Sequence, residues 1–269
     1  MNIVELNLCN YCSYHCKYCV AKTRQSLKSN DFGEYQQNGS LLPMEQALMW
    51  LAGTFDPADS RVILTGGEPT IIPFGHEWAN RLVAMGYDVY VLTNGTRLMW
   101  DSCKWTKQAK YLLTHHIEQV EWDIFEHSVK AMIAAGHKNI TLQTIITPQM
   151  IEDNWELEPL KERLGKFGFP VMLTGASKYF YNNEFYGFHD ERYWDFEPEP
   201  KQHEKELHIW SVRPSGDVHI CHSAKVVGNI YTPLDKKQGV YFKCFDTKSG
   251  FTTCSVKNTI LYMREKKEV

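Results

Sequence analysis

Directly after an apolar, strand-like run, Ile3–Leu8, the chain reads Cys9-Asn10-Tyr11-Cys12-Ser13-Tyr14-His15-Cys16-Lys17-Tyr18-Cys19. Four of the eight cysteines fall inside these eleven residues. From Cys12 to Cys19 the spacing is C-x3-C-x2-C, which puts three thiols on one tight loop. Three thiolates so placed suit three irons of a [4Fe–4S] cluster and leave the fourth iron open to a cofactor or substrate. The stretch also contains two CxxC pairs, Cys9–Cys12 and Cys16–Cys19, the donor set of a zinc knuckle. Zinc ribbons and fingers usually separate such pairs by a dozen or more residues, so that the chain turns back. Here only Ser13, Tyr14 and His15 intervene. Spacing therefore favours the cluster, with zinc as the alternative.

Composition sets the background. The chain has 269 residues, 43% of them hydrophobic and 23% charged, enough to bury a full core. Net charge is −3 and no long basic run occurs, so binding to nucleic acid by bulk electrostatics is not expected. The N-terminal residues lack a basic start followed by an apolar stretch, and no apolar run approaches a membrane span. A cytoplasmic protein with no membrane partner is expected. In a reducing compartment, clustered thiols point to metal or redox chemistry rather than disulfides. The lone Cys103 reads as a small core residue.

Working outward, strand-like and helix-like runs alternate. Strands are expected at Ile3–Leu8, Val62–Leu64, Val89–Leu92, Val120–Phe125, Ile140–Ile146 and Pro170–Leu173. Helices are expected at Met44–Leu51 after Pro43, Glu77–Met85 before Gly86, Ser128–Ala135 before Gly136, and Asp153–Phe167 before Gly168. Six such units predict an α/β fold, a partial (β/α)6 TIM-like barrel over residues 1–204. After about residue 178 the pattern is lost in an aromatic and acidic stretch. Leu207–Val212 and Val218–Cys221 flank Pro214-Ser215-Gly216-Asp217, a hairpin signal. It opens a small, loop-rich module expected over residues 205–269.

The cysteine run resembles the signature of the radical S-adenosylmethionine (radical SAM) enzymes. Thr65-Gly66-Gly67-Glu68-Pro69-Thr70 follows the second strand, as the GGEP motif of that superfamily does, and Leu92-Thr93-Asn94-Gly95-Thr96 follows the third, where many members carry TNG. Ala134-Ala135-Gly136 with Ile140–Thr147 is similar to the helix end and fifth strand of the same barrel. The resemblance covers roughly residues 1–175. It implies a [4Fe–4S] cluster on Cys12, Cys16 and Cys19, with Cys9 left in the first strand. It further implies S-adenosylmethionine bound by Gly66, Gly67, Glu68 and Pro69, with Tyr18 against adenine. Two glycines would let backbone approach a ligand, and Glu68 would supply an anion to the methionine ammonium. Asn94, at the barrel mouth, and Gln143, on the fifth strand, are expected to bind the same cofactor. Many relatives carry Ser and Asp at the end of the fourth strand, where this reading finds Glu121-Trp122-Asp123. The implied chemistry is reductive cleavage to a 5′-deoxyadenosyl radical, which takes hydrogen from a small-molecule, nucleotide, nucleic-acid or peptide substrate. An external donor such as flavodoxin or ferredoxin would supply the electron. A zinc or iron–sulfur module without enzymatic activity is the alternative of a different kind.

Arg213-Pro214-Ser215-Gly216-Asp217-Val218-His219-Ile220-Cys221, followed by Gly228-Asn229-Ile230, resembles the opening of the twitch or SPASM extension that holds an auxiliary iron–sulfur cluster. Cys221, Cys244 and Cys254 are then its expected ligands. The pair His115-His116 reads as the end of a helix.

Overall fold

The computed structural model describes residues 1–16, 19, 41–147, 149–150, 156–175, 178–181, 184–187, 205–220, 226–234, 241–246 and 252–253. Six strands follow one another in a parallel sheet: β1 (Asn2–Asn7), β2 (Ser60–Thr65), β3 (Asp88–Thr93), β4 (Lys110–His115), β5 (Ile140–Ile146) and β6 (Val171–Gly175). Between them run α1 (Met44–Thr54), α2 (Gly75–Ala84), α3 (Leu98–Asp101), α4 (Trp122–Ala134) and α5 (Leu157–Gly165). This is the expected partial (β/α)6 TIM-like barrel, with its sheet open rather than closed.

Each strand sends alternate side chains to opposite faces. One set, including Val4, Leu6, Val62, Leu64, Val91, Tyr111 and Leu113, is buried in the core that also takes Leu51, Leu82, Phe125, Val129 and Met132 from the helices. The other set faces the concave side and is more polar. At its floor, near the strand N-termini, Tyr90 lies between two cations. The Arg61 guanidinium sits 4.4 Å and the Lys110 ammonium 4.6 Å from its ring centre, and both pair with Asp88. Cation–π contact and ion pairing close the barrel floor, with two cations sharing the Asp88 carboxylate and the Tyr90 ring.

All four expected helices are present with shifted ends. Gly53 does not stop the first, which continues to Thr54. Gly86 and Gly136 do end α2 and α4, at φ +90° and +86°, where the left-handed backbone favours glycine.

One expected strand is misplaced. The fourth strand is Lys110–His115, and Val120–Phe125 is instead the lead-in and first turn of α4. Val120, Trp122 and Ile124 alternate with Glu121 and Asp123, which mimics a half-buried strand. The helix instead buries Phe125, Val129 and Met132, at spacings of four and three, and leaves Ile124 41% exposed. Cys103, expected in the core, is exposed.

The stretch after β6 contains a separate two-stranded hairpin, β7 (Lys178–Tyr181) with β8 (Glu184–Gly187). Then β9 (Lys205–Val212) returns to the main sheet and pairs in parallel with β1, Asn2 opposite His208 through Leu6 opposite Val212. The expected hairpin is present as β9 with β10 (Asp217–Ile220), and β11 (Val226–Asn229) follows on β10. Further out, β12 (Tyr241–Asp246) pairs with the start of β9 and with β13 (Thr252–Thr253). The residues expected to open a C-terminal module thus begin as a seventh parallel strand of the same sheet. Ile209, Trp210 and Val212 are buried in its core. Asn7 fastens the joint, donating from Nδ2 to Ser211 Oγ and the Val212 carbonyl, both at 3.0 Å.

Candidate active site at the cysteine loop

The C-terminal ends of β1 to β4 converge on the cysteine loop. Backbone pairing continues past the strand ends: Leu8 N–H donates to Thr65 O at 2.9 Å, Gly67 N–H to Cys9 O at 2.7 Å and Glu68 N–H to Tyr11 O at 2.6 Å. Such close approach requires the glycines. Gly66 has φ +124°, and a Cβ there would lie 2.7 Å from the Cys9 carbonyl oxygen; a Cβ on Gly67 would overlap the Tyr11 carbonyl. The space that the sequence reading reserved for a ligand on these side-chain positions is filled by the chain's own cysteine loop.

Glu68 is 2% exposed. Its Oε1 accepts from Thr70 N–H (2.9 Å), Thr70 Oγ1 (2.6 Å) and Thr93 Oγ1 (2.5 Å), and its Oε2 from Asn94 N–H (2.7 Å). Burial pushes the carboxyl above the usual carboxylate range, and these donors pull it back. The carboxylate thus fastens the segment after β2 to the end of β3. Glu68→Ala is expected to strand four buried donors and to lower unfolding free energy by about 2–4 kcal/mol. Glu68→Gln retains one carbonyl acceptor and should lose less. Chemical denaturation of the two variants checks the order.

The thiols are held from three sides. Cys12 Sγ accepts from Tyr14 N–H at 3.4 Å and lies 3.8 Å from Asn94 Nδ2. That amide also donates to Ser13 Oγ at 3.1 Å, while Asn94 Oδ1 accepts from Thr96 N–H and Oγ1. Thr96 Oγ1 in turn accepts from the Tyr14 hydroxyl, 2.7 Å away. From β4, His116 brings Nδ1 to 3.4 Å from Cys16 Sγ and meets the Tyr14 ring edge-on at 5.7 Å. Gln119 Oε1 accepts from His15 N–H at 2.9 Å. Cys19 N–H donates to Cys16 O at 3.0 Å, tying these two cysteines together.

Burial separates Cys9 from the others, which are partly exposed. It is 1% exposed and its thiol donates to the Tyr11 and Glu68 carbonyls, at 3.4 and 3.8 Å. Burial pushes it up to about 11. Cys12 is pushed up to about 12, by burial first, then by Glu68, with Cys16 and Cys19 adding to the rise. Three partly exposed thiols gathered on one loop suit a shared cationic centre. Among the described residues, no three His, Cys, Asp or Glu side chains are gathered around a single metal-ion position. A cuboidal cluster does not require that, because each thiolate binds its own iron.

Behind His116, His115 is fully buried, stacked on Trp122 at 3.8 Å with Nε2 3.2 Å from the Val120 carbonyl. Burial lowers both histidines to about 4. The pair therefore ends a strand, not a helix, and Thr114-His115-His116 takes the place that the sequence reading gave to Glu121-Trp122-Asp123. Gln143 lies further along the concave face. Its Oε1 accepts from Thr114 Oγ1 at 2.9 Å and its Nε2 donates to Thr174 Oγ1 at 2.7 Å, a polar tie across β4, β5 and β6.

The structure therefore gathers Cys12, Cys16, Cys19, Gly66, Gly67, Glu68, Pro69 and Asn94 at one barrel mouth, with Gln143 two strands beyond β3. Tyr18, Cys221 and Cys254 lie outside the described residues, and Cys244 is placed only as a backbone position of β12. Sequence reasoning missed His116, Gln119, Thr70 and Thr93. Correct placement of β4 would have exposed His116, because residues that follow a barrel strand sit at its mouth.

A family model described as the radical SAM superfamily matches residues 6–156. No curated protein matches the sequence. Among solved structures, Streptococcus suis SuiB bound to S-adenosylmethionine aligns with TM-score 0.58 and 12% identity, over 85% of this chain and 63% of that one. Escherichia coli coproporphyrinogen III oxidase HemN, a radical SAM enzyme, aligns with TM-score 0.44 and 10% identity, over 65% and 44%. The chain thus spans less than two thirds of the length of either.

Proposed function

Because the chain belongs to the radical SAM superfamily, whose members are enzymes that use a [4Fe–4S] cluster and S-adenosylmethionine, we propose that Cys12, Cys16 and Cys19 hold that cluster and that the barrel mouth binds the cofactor. Membership sets aside the alternative of a non-enzymatic metal module. The observation that carries the assignment is the fastening of the cysteine loop to β2, β3 and β4 through Gly67–Glu68, Asn94 and His116–Gln119. When bound, cluster and cofactor supply an electron and a 5′-deoxyadenosyl radical that takes hydrogen from a substrate.

The chain's own residues bind, orient and exclude water. Gly66 and Gly67 bring the segment after β2 against the cysteine loop, and Glu68 locks it to Thr93 and Asn94. Tyr18, which precedes Cys19 in the sequence and lies outside the described residues, would cover adenine. Thr114, Gln143 and Thr174 line the concave face below, and their hydrogen-bonded row would meet the cofactor or a small-molecule, nucleotide or peptide substrate. A cytoplasmic flavodoxin or ferredoxin would deliver the electron.

The C-terminal thiols extend the proposal. Cys244 stands opposite Lys205, on the edge of β9 where β10 pairs further along; β10 ends at Ile220, immediately before Cys221. With Cys254, they would hold an auxiliary cluster. Anaerobic reconstitution tests both assignments. Two [4Fe–4S] clusters give about eight irons per chain, and the triple alanine variant of Cys221, Cys244 and Cys254 should fall to about four and still form 5′-deoxyadenosine. A wild-type protein that never exceeds four irons has no auxiliary cluster. One that loads no iron, or loads it without cleaving S-adenosylmethionine, overturns the main assignment.

A further inference from the structure

The imidazole of His116 has no role in the chemistry described so far, yet it reaches the most critical loop in the molecule. It comes from the end of β4 and places Nδ1 3.4 Å from Cys16 Sγ. The Tyr14 ring meets it edge-on, and the neighbouring Gln119 accepts from His15 N–H, so both the ring and the loop beneath it are fixed. A ligating thiolate has only acceptor capacity. A contact at this distance is then favourable only if Nδ1 carries the proton, with the N–H directed at sulfur. Hydrogen bonds to cluster sulfurs, like axial ligands and burial, are among the levers by which a protein sets a reduction potential.

We propose that His116 donates an Nδ1–H hydrogen bond to the Cys16 thiolate and thereby raises the reduction potential of the N-terminal cluster. This rests on the assignment of Cys16 as a ligand. Reduction adds one electron, and so negative charge, to the iron–sulfur unit. A fixed N–H dipole aimed at one of its sulfurs stabilises the reduced form more than the oxidised one. His116 touches the ligand rather than the substrate, and so acts as a positioning residue for redox poise.

The test is potentiometric titration of the reconstituted enzyme, following the paramagnetic signal that changes when S-adenosylmethionine is added. His116→Phe keeps a ring against Tyr14 but has no N–H, and its midpoint should move to a more negative potential at wild-type iron content. His116→Gln restores an N–H donor and should move the midpoint back towards wild type. An unchanged midpoint in His116→Phe overturns the proposal. Should His116→Phe take up no iron, the wild-type enzyme carrying 15N only in its histidine rings decides. The reduced cluster should show a 15N hyperfine coupling that disappears in His116→Gln; no coupling, or one that persists, overturns the proposal. Iron retained at wild-type level in Cys16→Ala would instead overturn the ligand assignment beneath it.

Discussion

Anaerobically reconstituted Cys16→Ala protein is expected to hold no N-terminal cluster and to form no 5′-deoxyadenosine, and Cys12→Ala and Cys19→Ala should behave alike. A three-thiolate site has no spare ligand, since the fourth iron position belongs to the cofactor. The nearest other thiol is poorly suited to substitute. Cys9 is 1% exposed, bridged to Leu41 and hydrogen-bonded through its thiol to backbone carbonyls. Cys9→Ala should therefore load normal iron and lose only the packing and weak hydrogen bonding of one small side chain, about 1–2 kcal/mol of stability. Iron and sulfide counts on the four single variants, with product formation measured beside them, check the pattern. Equal iron loss in Cys9→Ala and Cys16→Ala would show that the triad is wrongly assigned.

The second large effect is expected at Gly67. A single added methyl there would overlap the Tyr11 carbonyl. The two backbones cannot part by the required distance and keep the Gly67-to-Cys9 and Glu68-to-Tyr11 hydrogen bonds of 2.7 and 2.6 Å. Gly67→Ala should lower stability by about 2–4 kcal/mol, combining overpacking with two lost buried bonds. Iron binding should fall in parallel, because the same bonds hold the loop. Gly53→Ala is the control: nothing lies within 4 Å of the added methyl, inside a helix, and a gain of up to about 1 kcal/mol is expected. Denaturant midpoints and iron counts on both proteins separate a local clash from a general intolerance of alanine.

Much of this arrangement is legible in the order of residues. Five of six barrel strands are short, buried and bounded by turn signals, so their positions follow from composition and spacing. The fourth escapes because Val120–Phe125 alternates like a strand while folding as a helix start. The true strand hides its apolar centre, Tyr111 to Leu113, between Lys110 and a histidine pair. That single displacement also hid His116. The motif glycines and Glu68 are equally legible as important. Their partners are not, because Tyr11, Thr93 and Asn94 meet them only once three separate strand ends are brought together. No local signal in Leu207–Val212 says that it will lie beside β1; that pairing depends on which edge of the curved sheet remains open.

The parallel contact between β1 and β9 also has a temporal meaning. The strand that launches the cysteine loop is made well before its outer neighbour, which lies some two hundred residues downstream. At a ribosomal rate of about 5–20 residues per second, the two are separated by roughly 10–40 seconds of synthesis. Throughout that interval β1 presents an unpaired edge, the kind of surface that recruits foreign strands. Contacts so distant in sequence also slow the final closure. Asn7 cannot find Ser211 until that closure is complete, so the seam forms late, beside the loop proposed to hold the cluster. Loading of metal before or after the seam closes would thus meet two differently supported loops in the same nascent chain.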